Sequence, residues 1–91
     1  MSELSRTELI RKYLEETLNP TQLEIIDDSQ LHAGHSGHGG GGHFQVHIVS
    51  EKFNGLATLA RHRLVYSALE SMMQTEIHAL SIKAQSIDET T

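Results

Sequence analysis

The stretch Phe44-Gln45-Val46-His47-Ile48-Val49-Ser50-Glu51-Lys52-Phe53-Asn54-Gly55 decides the fold. Its first half alternates, with Phe44, Val46 and Ile48 on one face, as a half-buried strand does. Its second half is a turn punctuated by Asn54-Gly55. Beyond it the period changes. Ala57, Ala60, Leu64, Val65, Ala68, Leu69, Met72 and Met73 recur at three- and four-residue spacing, the apolar stripe of a helix. Arg61 projects onto that stripe, where a guanidinium must snorkel or find partners.

Working toward the N-terminus, Thr21 to Asp28 is short and β-branched, with Leu23, Ile25 and Ile26, and reads as another strand. It should pair antiparallel with the Phe44–Val49 strand across a long connection. Ahead of it, Ser5-Arg6-Thr7-Glu8 has the spacing of a capping box, with Leu4 and Leu9 placed for a hydrophobic staple. Ile10, Tyr13, Leu14 and Leu18 continue a helical period that Asn19-Pro20 ends. Toward the C-terminus, Ile77 to Ala84 alternates, with Leu80 and Ile82 on one face. By the same period His78 falls on their face. The tail from Ser86 to Thr91 is polar and expected to fray.

The order helix, strand, strand, helix, strand predicts one α+β domain over residues 1–91, two helices layered on a three-stranded sheet. At 91 residues the chain buries only about two-thirds of its surface, so the core must be thin.

Composition narrows the chemistry. The chain has no cysteine, which excludes a disulfide framework, a thiol nucleophile and a self-contained thiolate metal site. It has seven histidines and a formal charge of −5. That charge argues against general affinity for phosphate backbones. No apolar run is long enough for a membrane span, and Met1-Ser2-Glu3-Leu4 does not open a signal peptide. A cytoplasmic protein is expected. No motif frames a nucleophile, so an enzyme is not expected. A monomer is expected too, because no strongly apolar face remains once the core is assigned.

The segment Ser29 to Gly42, SQLHAGHSGHGGGG, holds six glycines and three histidines. It cannot pack a core, and a flexible Gly/His loop is predicted over residues 29–43. His32, His35 and His38 recur every third residue, and His43 closes the loop. Such a tract is either a solvated low-complexity segment or a presenter of imidazoles.

Three segments resemble the BolA family: Val49-Ser50-Glu51-Lys52-Phe53-Asn54-Gly55-Leu56, Arg61-His62-Arg63-Leu64-Val65-Tyr66-Ser67-Ala68-Leu69, and Ile77-His78-Ala79-Leu80-Ser81-Ile82. The resemblance covers essentially the whole chain. It implies a class II KH-like α-β-β-α-β fold and a partnership with monothiol glutaredoxins. The two proteins would share a [2Fe–2S] cluster, with thiolates from glutaredoxin and glutathione. His78, in the IHAL motif, would be one ligand from this chain. A second would come from the loop between the first two strands, by position His32, with His35 or His38 as alternates. The resemblance also implies a second role, DNA binding in stress-linked transcription. Lys52, Arg61 and Arg63 are the candidates for contacts to nucleic acid. Gly55-Leu56-Ala57-Thr58 lacks the second glycine of the GXXG loop with which KH domains clamp a nucleic-acid backbone.

The residues themselves are compatible with the cluster reading. Imidazole suits iron, and a chain without cysteine joins such a centre only through nitrogen or oxygen. The plainer alternative for His78 is a partly buried histidine with one satisfied hydrogen bond. For His47 it is a solvent-facing position, and for His62 a structural or partner-contact role.

Overall fold

The computed structural model describes residues 5–28 and 42–90. The elements run α1 (Arg6–Leu18), β1 (Gln22–Asp27), β2 (Gly42–Val49), α2 (Thr58–Ala68), α3 (Glu70–Met73) and β3 (Ile77–Gln85). Short 3-10 turns occupy Glu51–Phe53 and Ile87–Thr90. The expected α+β architecture is present.

The capping box forms as the sequence indicates. The Glu8 N–H donates to Ser5 Oγ at 3.1 Å and the Ser5 N–H donates to Glu8 Oε1 at 2.9 Å. These satisfy two of the backbone donors that a helix start otherwise leaves without partners. At the other end Asn19 takes a left-handed conformation, φ 44°, and its N–H returns to the Glu15 carbonyl. Asparagine tolerates that geometry better than a branched residue, and Pro20 stops the helix.

The sheet order is β1-β2-β3, with β1 and β2 antiparallel and β2 and β3 parallel. The central β2 supplies Phe44, Val46 and Ile48 to one face. There they pack with Ile10, Leu14 and Leu18 from α1, and with Phe53, Val65, Leu69, Met72 and Ile77. Each such side chain, fully buried, contributes about 1.5–3 kcal/mol. The opposite face of the sheet carries Glu24, Gln45, Ser81 and Lys83, all exposed, and the half-buried His47. His47 Nε2 lies 2.6 Å from Gln85 Oε1.

Three details depart from the sequence expectation. The second helix is not continuous. Leu69, at φ −104° and ψ 13°, separates α2 from α3. The buried stripe survives the break as Val65, Leu69 and Met72, while Ala57 is exposed. The turn after β2 is not merely punctuation, because it buries Phe53 completely. The tail does not begin to fray at Ser86, which is 4% exposed. The Ile87 N–H donates to Asn54 Oδ1 at 3.3 Å, which ties the following 3-10 turn to the β2–α2 connection.

Candidate metal centre

His78 is exposed, not on the core face with Leu80 and Ile82 as strict alternation predicts. The cause is a shift of register between β2 and β3. Gly42 pairs with Ile77, but the next residue, His43, pairs with Ala79. His78 is therefore the extra residue of a bulge. Bulges commonly re-aim a side chain near a functional site. Ile77 is buried before it, and Leu80 returns to the core after it.

That irregularity puts two imidazoles together. The rings of His43 and His78 lie 5.1 Å apart between centroids, tilted by 43°. His43, the second residue of β2, is half-buried, and by alternation it stands on the face opposite Phe44. Its position is held at both edges of the strand. The Asp28 N–H donates to the His43 carbonyl at 2.7 Å, and the Gly42 N–H donates to the Glu76 carbonyl at 3.0 Å. The Asp28 carboxylate accepts from Gln45 Nε2. Glu76, just ahead of β3, is paired through its carboxylate with Arg6 Nε at 2.6 Å. The ion pair thus links the start of α1 to the turn that leads into His78.

The centroid separation is of the size that two imidazoles on one ion would have. Two metal–nitrogen bonds of about 2.1 Å at a tetrahedral angle place imidazole centroids roughly 5 Å apart. No group of three or more ligating side chains occurs among the described residues.

The other sequence candidates fare differently. His32, His35 and His38 lie outside the described residues. His43, which sequence reasoning treated only as the residue closing the loop, is the one found beside His78. The signal for it was its place one residue before Phe44, on the outward parity of the strand. His62 is half-buried on α2.

Of the three basic candidates, Arg61 is engaged internally. Its Nε donates to the Leu56 carbonyl at 2.7 Å and its Nη1 to the Ala84 carbonyl at 3.1 Å. This resolves how a guanidinium sits on an apolar stripe: it fastens the start of α2 to β3. Lys52 and Arg63 are exposed. No described helix is long and apolar enough to cross a membrane.

Comparison with known proteins bears on the family and the fold. The family model described as BolA-like protein matches residues 14–89. SufE-like protein 1, chloroplastic/mitochondrial, of Arabidopsis thaliana is 42% identical over 87 residues. The match covers 89% of this chain and 24% of that protein, so this chain spans about a quarter of that relative's length. The DNA-binding transcriptional regulator BolA of Escherichia coli is 38% identical over 85 residues, covering 89% of this chain and 79% of the relative. Among solved structures, BolA1 from Arabidopsis thaliana superposes with a TM-score of 0.85 at 39% identity, covering 99% of this chain and 100% of the other. The chain belongs to the BolA-like family.

Proposed function

We propose that this chain is an adaptor that docks on a monothiol glutaredoxin and contributes imidazole nitrogen to a [2Fe–2S] cluster shared between the two proteins. The observation that carries the reading is the His43–His78 pair, two rings 5.1 Å apart at the edge of a Gly/His-rich connection. His78 is the first ligand. The second is His43, or His32 from the connection, with His35 and His38 as alternates. Glutaredoxin and glutathione supply the thiolates that a chain without cysteine cannot. Two neutral imidazoles in place of two thiolates make the cluster less negative and raise its potential. The task of this chain is to hold the rings at that spacing. The bulge and the two backbone hydrogen bonds around His43 do so without help from a deep pocket.

The test is spectroscopic. Adding the protein to cluster-loaded monothiol glutaredoxin changes the visible circular dichroism of the cluster. His78→Ala removes the change. An unchanged spectrum with the wild-type chain refutes the proposal.

A second reading, direct DNA binding in transcriptional regulation, is favoured by one observation: an Escherichia coli relative 38% identical to this chain carries that description. Lys52 and Arg63 are exposed for it, whereas the Arg61 guanidinium is occupied by two carbonyls. The charge of −5 weighs against it.

A further inference from the structure

We infer that the outward face of α2, made by Leu59, His62, Arg63 and Tyr66, is the surface on which the glutaredoxin seats, and that the glutaredoxin meets it with carboxylates set around an apolar depression. The inference rests on the adaptor reading and adds to it a docking surface separate from the imidazoles.

Helical spacing brings these four residues together. Positions 59, 62, 63 and 66 stand three, four and seven apart and share one face, while Val65 is buried on the other. Leu59 is 63% exposed and Tyr66 40%, two of the three large apolar side chains left in solvent among the described residues. Arg63 is exposed between them, and His62 is half-buried beside it. Tyrosine and arginine are the side chains in which protein–protein contacts concentrate their energy, and an apolar neighbour helps to exclude water from them.

Charge indicates the chemistry of the partner. Residues 52–69 carry Lys52, Arg61 and Arg63 and no Asp or Glu, in a chain of net charge −5. Arg61 gives its N–H groups to carbonyls, which leaves its positive charge in place. The face is cationic on an anionic molecule, so it attracts an acidic surface and steers its approach. Nucleic acid is acidic too, but a phosphate backbone leaves Leu59 and Tyr66 uncovered, and the rest of the chain repels it. A protein that brings both carboxylates and apolar surface matches both properties.

The fold connects this face with the proposed metal site. Arg61, near the start of α2, bonds Ala84 near the end of β3. The other end of α2 leads through α3 into Ile77, where β3 begins. The helix therefore runs antiparallel to the strand. Tyr66 lies toward the end of the sheet that carries His78, and Leu59 stands about 10 Å farther along the helix. One molecule seated over His78 reaches the face.

The experiment uses cluster-free monothiol glutaredoxin, so that no iron bond contributes. It is titrated into the full nitrogen-15-labelled chain, with binding followed by NMR and calorimetry. Wild type binds, with amide shifts centred on α2. Leu59→Ser, Tyr66→Ser and Arg63→Glu each weaken binding roughly tenfold, and thermal unfolding of each variant checks its fold. Arg63→Glu changes an exposed position, so the test does not depend on the two apolar variants. Lys83→Glu makes the same charge change on the open face of the sheet and keeps wild-type affinity. Arg63→Gln flattens the dependence of affinity on salt.

Wild-type affinity in the α2 variants, or no binding of cluster-free glutaredoxin, overturns the inference and leaves the adaptor reading to its own cluster spectrum. With glutaredoxin affinity unchanged, loss of duplex DNA binding in the same variants gives the face to nucleic acid. A dimer of the chain alone that Leu59→Ser dissolves gives it to a second copy. Either result overturns the inference as well. Should glutaredoxin bind at α2 while the cluster spectrum stays unchanged, the docking surface stands and the adaptor reading falls.

Discussion

Ser50 is completely buried and engaged on every side. Its hydroxyl donates to the Leu18 carbonyl at 2.6 Å and accepts from the Lys52 N–H at 3.1 Å. Its own N–H donates to the Gln85 carbonyl. The Leu18 carbonyl belongs to the last turn of α1, where intrahelical donors have run out. Ser50→Ala leaves that carbonyl without its donor in a dry place, so a loss of about 1–3 kcal/mol is expected in urea unfolding. A second residue-scale prediction concerns acid. The Ser5 backbone N–H, then its hydroxyl, hold the Glu8 carboxyl below its ordinary value. A carboxyl whose folded value is depressed stabilises the fold above the unfolded value, and that contribution is lost as pH falls through the folded value. Wild type should therefore lose more stability than Glu8→Gln on acidification across and below the usual carboxylate range. Equal losses in parallel pH series of thermal unfolding would contradict the capping role. The identity of the cap was legible because its residues are four neighbours in sequence. The partner of Ser50 was not, because Leu18 lies 32 positions away.

At the scale of elements, the outward turn of His78 depends on how two strands pair. Alternation read backward from Leu80 and Ile82 places His78 inward. The bulge reverses it, and nothing local in Ile77-His78-Ala79-Leu80 announces a bulge. The parallel register of β2 on β3 creates it, a long-range property. For the same reason the approach of His43 to His78 was hidden, although each was recognised separately. The break at Leu69 was hidden too, since neither glycine nor proline marks it. By contrast, the anomaly of Arg61 on an apolar stripe was plain in the sequence and its resolution is structural: one guanidinium bonds a carbonyl of the connection before α2 and one of β3. Arg61→Ala should cost about 1–3 kcal/mol, as two carbonyls lose their donor. Lysine lacks the planar fork and should not restore it. Arg63→Ala, at an exposed position, should stay within about 0.5 kcal/mol of wild type. Equal effects in denaturant melts would remove the case for Arg61 as a fastener.

At the scale of the whole molecule, a thin layer of helices covers one face of the sheet. The His43–His78 pair lies at one end of it, where β2 begins and β3 is irregular. The architecture was legible because periodicity changes cleanly from helix to strand along the chain. The proposed metal role has one compositional signal in the sequence, seven histidines and no cysteine, which suits a site shared with another molecule. The proposed site is completed by another molecule, so the decisive test is made on the complex. The chain is labelled uniformly with nitrogen-15, combined with unlabelled monothiol glutaredoxin, glutathione and a [2Fe–2S] cluster, and reduced for pulsed electron paramagnetic resonance. Strong nitrogen-15 coupling to the cluster, diminished when the chain carries His78→Ala, is the predicted result. A reduced cluster in the assembled complex that shows no coupling to the labelled chain would contradict the account.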